Sequence, residues 1–186
     1  MYQLTVFTPT YNRAHTLPAL YNSLVEQITN YSFEWLIIDD GSSDNTSEIV
    51  NEWIKEYKIT INYYKVPNGG KPRAINKAVE WARSPFLFII DSDDYLADNS
   101  VVEFMASECK KIKDDATFVG VGGLQGYPNK SAKANVSFTN YIDATDLERV
   151  KFGLNVDCNE AYKIEILRQW RSATFSLIMS FAIKRV

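Results

Sequence analysis

The amino-acid sequence predicts an α/β fold, with a largely parallel central sheet and helices on both of its faces. Apolar runs of strand length alternate with segments of helical period through about the first 125 residues. Successive strands are therefore joined by crossovers of helical length, the connection that parallel strands require. The runs "FEWLIID" and "PFLFII" are apolar enough to be covered on both sides.

Each element has its own justification. "QLTVFT" (3–8) is the first strand, closed by Pro9. Helical spacing follows from Thr16 to Ile28, with Leu17, Leu20, Leu24 and Ile28 on one face. Pro18 fits the first turn, where no amide partner is needed. "FEWLIID" (33–39) is the second strand. The helix after it opens at "SDNTSEI", where Asn45 and Glu48 have capping-box spacing. Ile49, Trp53, Ile54 and Tyr57 supply its inward face. "ITINYYKV" (59–66) alternates as a strand does, and "PNGG" (67–70) is a turn. "KPRAINKAVEWA" (71–82) is a helix that buries Ala74, Ile75, Ala78, Val79 and Ala82. "PFLFII" (85–90) is the most buried strand, Asp98 or Asn99 caps a helix running through Ile112, and "TFVGVGGL" (117–124) is a further strand. Residues 125–140 are polar and turn-rich, a surface connection to a smaller second part. In that part a short strand precedes a helix from Lys163.

Composition narrows the function classes. The chain has 186 residues, 46% apolar and 23% charged, with a net charge of −3. That is ordinary for one globular domain and gives no reason to expect nucleic acid or an anionic membrane as partner. Cys109 and Cys158 lack metal-ligand spacing and read as core thiols in a reducing compartment. With no leader-like start and no apolar run long enough to span a bilayer, the expected location is cytoplasmic.

In parallel sheets ligands bind beyond the carboxyl ends of the strands. Pro9-Thr10-Tyr11, Asp39-Asp40 and Asp91 to Asp94 all fall at that edge. "FLFIIDSDD" (86–94) sets three carboxylates directly after an apolar strand. They form either a solvated turn or a site for a hard divalent cation, Mn²⁺ or Mg²⁺, which keeps open positions for substrate phosphates. Asp39 is placed to accept from a planar base, or else only closes a turn with Gly41. "TPTYNR" (8–13) offers hydroxyls, an aromatic face and Arg13. "GGKPRAINKAV" (69–79) places Lys71 and Arg73 at a helix start, which favours anions or is simply an exposed cationic face. His15, the only histidine, reads as incidental.

Taken in order, "TPTYNR", "EWLIIDDGSSDNT", "GGKPRAINKAV" and "FLFIIDSDD" resemble the nucleotide-binding half of family 2 glycosyltransferases, which have the Rossmann-like GT-A nucleotide-diphospho-sugar transferase fold. The resemblance implies residues 1–125 as a nucleotide-sugar-binding subdomain and 126–186 as an incomplete acceptor-side segment and tail. It implies inverting, metal-dependent transfer of a sugar from a nucleotide-diphosphate donor, often UDP-linked, to an acceptor hydroxyl on a glycan or lipid-linked molecule. Thr8, Thr10 and Tyr11 line the base and ribose pocket, Pro9 shapes it, and Arg13 meets phosphate. Asp39 is the uracil-binding carboxylate, with Asp40 beside it. Lys71 and Arg73 touch base or diphosphate. Asp91 and Asp93 are the D-x-D pair around Ser92: Asp93 is the direct metal ligand, and Asp91 lies near the ribose and the metal.

The end of the chain departs from the family pattern. Family members carry an acidic base on an acceptor-side segment, whereas here no acidic residue follows Glu165. Asp157 and Glu160 are the remaining candidates for the base. Phe175 to Ile183 is either a helix for a partner or membrane surface, which would place the protein at the inner face of the membrane, or an aberrant end. The alternative function is a non-catalytic nucleotide-sugar-binding fragment. A phospho-receiver domain would need a lysine at a later strand end, and a nucleotidyltransferase a Gly-rich loop after the first strand; neither is present.

Overall fold

The apolar runs become the strands they predict. The structure, a computed structural model, describes residues 1–124 and 158–169. In chain order the elements are β1 (Leu4–Thr10), α1 (Leu17–Val25), β2 (Phe33–Asp39), α2 (Thr46–Glu56), β3 (Ile61–Lys65), α3 (Lys71–Trp81), β4 (Phe86–Ile89), α4 (Val101–Ile112), β5 (Gly120–Leu124), β6 (Cys158–Lys163) and α5 (Ile164–Gln169). The six strands form one sheet in the order β3-β2-β1-β4-β6-β5. β3, β2, β1 and β4 are parallel neighbours, while β6 runs antiparallel to both β4 and β5. The sheet is thus mostly parallel, as expected. β6 comes from the segment that the sequence places in a second part, yet it lies inside the same sheet.

Helices cover both faces because alternate strand residues are apolar in both directions. On one face Leu17, Leu20 and Leu24 of α1, Val50 of α2 and Val102, Met105 and Ala106 of α4 pack on Leu4, Val6, Trp35, Ile37 and Phe88. On the other, Ala74, Ile75, Ala78 and Val79 of α3 and Leu167 of α5 pack on Phe7, Leu36, Ile38 and Leu87. The rings of Tyr21 and Trp53 stack at 4.4 Å between α1 and α2, and Trp35 lies 6.0 Å from Trp53 beneath them. A Glu56 carboxylate accepts from the Tyr21 hydroxyl, and burial together with that bond pushes the phenol up to about 12.

Five details differ from the sequence reading, each for a local reason. β1 continues through Pro9 to Thr10. The Phe7 carbonyl accepts from Ile90 on the β4 side, so Pro9, two residues on, points its missing N–H past the end of β4. α1 stops at Val25, and Ile28 is exposed, its amide donating to the Asn99 carbonyl. Gln27 there caps α4, accepting from the Val102 amide at 2.9 Å, while the Asp98 carboxylate accepts from the Ser100 amide and hydroxyl. In α2 the cap comes from Asp44, which accepts from the Thr46 amide and hydroxyl; the Asn45 side chain makes no capping bond. Tyr57 faces solvent, 87% exposed, because it ends α2 in the left-handed region at φ 53°. Residues 175–183 lie outside the described residues.

Candidate functional site

Strand register aligns the rim. Thr10 pairs with Asp39 and Asp39 with Lys65, so β1, β2 and β3 end level, and the chain leaves β4 beside them after Ile89. The loops after these four strands meet at one edge of the sheet, where each of the quoted motifs places its polar residues.

Asn12 stitches the first two loops. It adopts φ 53°, which asparagine tolerates better than most residues. Its amide donates to Ser42 Oγ at 2.9 Å, and its side-chain oxygen accepts from the Ser43 amide at 2.8 Å. Asp44 accepts from the Ala14 amide at 3.0 Å as well as from Thr46. Partial burial alone would raise the Asp44 carboxyl. The bonds from the Thr46 hydroxyl and from the Ala14 and Thr46 amides outweigh it and hold the group below its usual range.

The carboxylates of "IIDDG" are spent on the scaffold. Asp39 is fully buried: one oxygen accepts from the Ser42 amide at 2.7 Å and the other from the Tyr63 hydroxyl at 2.5 Å. Burial and the Asp39 charge push the Tyr63 phenol well above its usual value. Asp39 therefore does not face an open crevice. Asp40 accepts from the Gly69 amide at 2.8 Å and the Gly70 amide at 2.7 Å, closing the "PNGG" turn over β2. Gly41 takes φ +85° with its α-carbon against that turn, where a Cβ would meet the Asn68 amide at 3.2 Å. Thr8 is fully buried, and its hydroxyl accepts from Trp35 Nε1 at 3.0 Å. The side chains of Thr8 and Asp40, both expected at the ligand, are thus bonded to protein partners.

Other residues complete the rim. The Thr10 hydroxyl is buried without a hydrogen-bond partner. Tyr11 is half exposed, and so is Tyr95, which the sequence reading did not single out. Arg73 is exposed, its stem lying over Gly69. Ser92 is buried within the acidic turn, which the Asp94 amide closes on the Asp91 carbonyl. The acidic pair is matched by two cations. Lys71 Nζ lies 2.6 and 2.8 Å from the two oxygens of Asp91, and Arg13 lies 3.7 Å from Asp93. All four side chains are about half exposed.

The donor set suits a hard ion held chiefly by its ligand's oxygens. Among the described residues no three His, Cys, Asp or Glu side chains cluster as a complete metal cage. An ion such as Mg²⁺ needs only one or two carboxylates when phosphates and water complete its shell, and Asp91 and Asp93 supply two. Glu160 follows the antiparallel register one position beyond Ala161, which pairs with Phe88, and so stands toward the same rim. Asp157 lies outside the described residues.

The family model for glycosyl transferase family 2 matches residues 5–171. The chain belongs to this family. Among curated relatives of this glycosyltransferase family member, the poly(ribitol-phosphate) β-N-acetylglucosaminyltransferase TarS of Staphylococcus aureus is 28% identical over 127 residues, 68% of this chain and 22% of TarS. An uncharacterized glycosyltransferase of Mycoplasma pneumoniae is 35% identical over 102 residues, 53% of this chain and 34% of that protein. The chain thus spans about a third or less of the length of these relatives. In solved structures, TarS 1–349 in complex with UDP-GlcNAc superposes with TM-score 0.69 at 24% identity, covering 90% of this chain and 47% of the other. The mannosyltransferase PcManGT of Pyrobaculum calidifontis, in complex with GDP-Man and Mn²⁺, superposes with TM-score 0.66 at 20% identity, covering 98% and 54%. These neighbours establish the GT-A fold of this family 2 chain. No helix among the described residues is long and apolar enough to cross a membrane.

Proposed function

We propose that this family 2 chain is the donor-binding part of a glycosyltransferase that moves a sugar from a UDP-linked donor to an acceptor hydroxyl with inversion, dependent on Mn²⁺ or Mg²⁺. The observation that carries the reading is the rim itself: two carboxylates after β4, each within reach of a cation from another segment, beside a buried hydroxyl that lacks a partner. A diphosphate is the ligand that could use both signs of charge at once. Bound there, the ion would offset the charge of the departing diphosphate.

The chain's own residues orient the donor. Asp93 and Asp91 hold the ion. Lys71, Arg73 and Arg13 meet phosphate oxygens, and Tyr11 offers a face to base or ribose. Thr10 donates its free hydroxyl. Asp39 sets the wall of the base site, and reaches a base only if Tyr63 gives way. Glu160 is the acidic residue of β6 that stands toward the acceptor side. The acceptor is a glycan or lipid-linked hydroxyl.

Calorimetry with UDP, with and without Mn²⁺, tests this. We expect Mn²⁺-dependent binding in the native chain and its loss in Asp93→Ala. Affinity for UDP that ignores Mn²⁺, or persists unchanged in Asp93→Ala, would refute the assignment. Binding without donor turnover would favour the second reading, a nucleotide-sugar-binding domain that is inactive by itself.

A further inference from the structure

We infer that Lys71 and Arg13 hold the acidic pair in place of the divalent ion, and exchange partners when ion and diphosphate arrive together. This rests on the donor site proposed above.

Two features point to the exchange. First, Asp91 and Asp93 are not bare: Lys71 contacts both oxygens of Asp91 at 2.6 and 2.8 Å, and Arg13 lies 3.7 Å from Asp93. The two cations come from different elements, the start of α3 and the loop after β1, so they meet the turn after β4 from two sides. An ion arriving alone finds its ligands already neutralised and must push two positive groups into water. Half-exposed pairs are weak enough to be displaced. Second, most of the backbone at the start of α3 is already engaged. The Gly69 and Gly70 amides are bonded to Asp40, Pro72 has none, and the Arg73 amide donates to the Gly70 carbonyl. The side-chain cations are therefore the main groups placed to meet a diphosphate.

The displaced cations gain an anionic partner only when the diphosphate comes with the ion. Ion and nucleotide should accordingly bind as a coupled pair, each raising the affinity of the other by the same factor. Lys71 then has opposite effects on the two half-reactions. It competes with the ion and attracts the nucleotide.

The test titrates Mn²⁺ alone, and then Mn²⁺ at saturating UDP, into native protein, Lys71→Met, Arg13→Met and Lys71→Arg. Both Met variants should bind Mn²⁺ alone more tightly, by about threefold to tenfold. They should also bind UDP more weakly in saturating Mn²⁺, so that the coupling factor falls. Lys71→Arg, which keeps the charge, should lie nearer the native values than Lys71→Met. Unchanged or weaker binding of Mn²⁺ alone in Lys71→Met, with Mn²⁺-dependent UDP binding intact in the native protein, overturns the exchange and leaves the donor site standing. Native protein that binds no UDP with Mn²⁺ overturns both.

Discussion

Tyr63 illustrates how single residues at the rim divide between scaffold and ligand. Its hydroxyl donates to the buried Asp39 and lies 2.8 Å from the Ser47 hydroxyl. Tyr63→Phe leaves the Asp39 oxygen without that donor and should lower unfolding free energy by about 1–3 kcal/mol in urea titration. An unchanged midpoint would mean that water replaces the phenol there. Asp44 makes a pH-dependent contribution of definite sign. Its folded carboxyl is held below the ordinary value of 3.8, so its stabilisation is full above that value and is lost as pH falls through the folded one. The stability gap between native protein and Asp44→Asn should therefore be widest near neutrality and close below pH 3.8, as followed by denaturant unfolding across pH. The sequence marks the carboxylates but not their partners. Asp39, Asp40 and Thr8 look alike as strand-end polar groups, and what separates them from Asp91 and Asp93 is Tyr63, Gly69, Gly70 and Trp35. Those partners lie 24 to 30 residues away, at distances no local spacing encodes.

Among elements, strands and helix interiors were readable because burial imposes a period on them, and ends were not. α1 stops three residues early because Gln27 is recruited to cap α4, a contact across 75 residues. The sequence marks β5 and β6 as strands but not their pairing, since nothing in "TFVGVGGL" announces an antiparallel neighbour from beyond residue 157. Gly120 of β5 makes sense only in that pairing. A Cβ at Gly120 would sit 2.4 Å from the Ala161 carbonyl oxygen, a backbone atom that cannot swing away. Gly120→Ala should accordingly destabilise the fold by about 1–3 kcal/mol, seen as a lower melting temperature. A neutral result would show that β5 and β6 lie further apart than the register implies.

At the scale of the whole molecule, the exposed acidic pair lies apart from the packed layers. The two apolar layers sit on the sheet faces, and the half-exposed ion pairs of Asp91 and Asp93 contribute little to holding them together. Asp93→Ala should therefore melt with the native protein while losing Mn²⁺-dependent nucleotide binding. A large drop in melting temperature would instead make Asp93 a structural residue. The fold class was legible because it follows from the alternation of elements along the chain. The rim was legible in outline because parallel sheets bring their strand ends to one edge.

The position of β6 carries one more consequence, for the order in which the protein is made. β3, β2, β1 and β4 are complete once residue 89 has been synthesised, and β5 by residue 124, yet β5 has no direct neighbour in that set. The nascent chain must keep a vacant lane beside β4 until Cys158–Lys163 emerges to fill it. During that interval the flank of β4 is an open edge, exposed to pairing with the wrong partner.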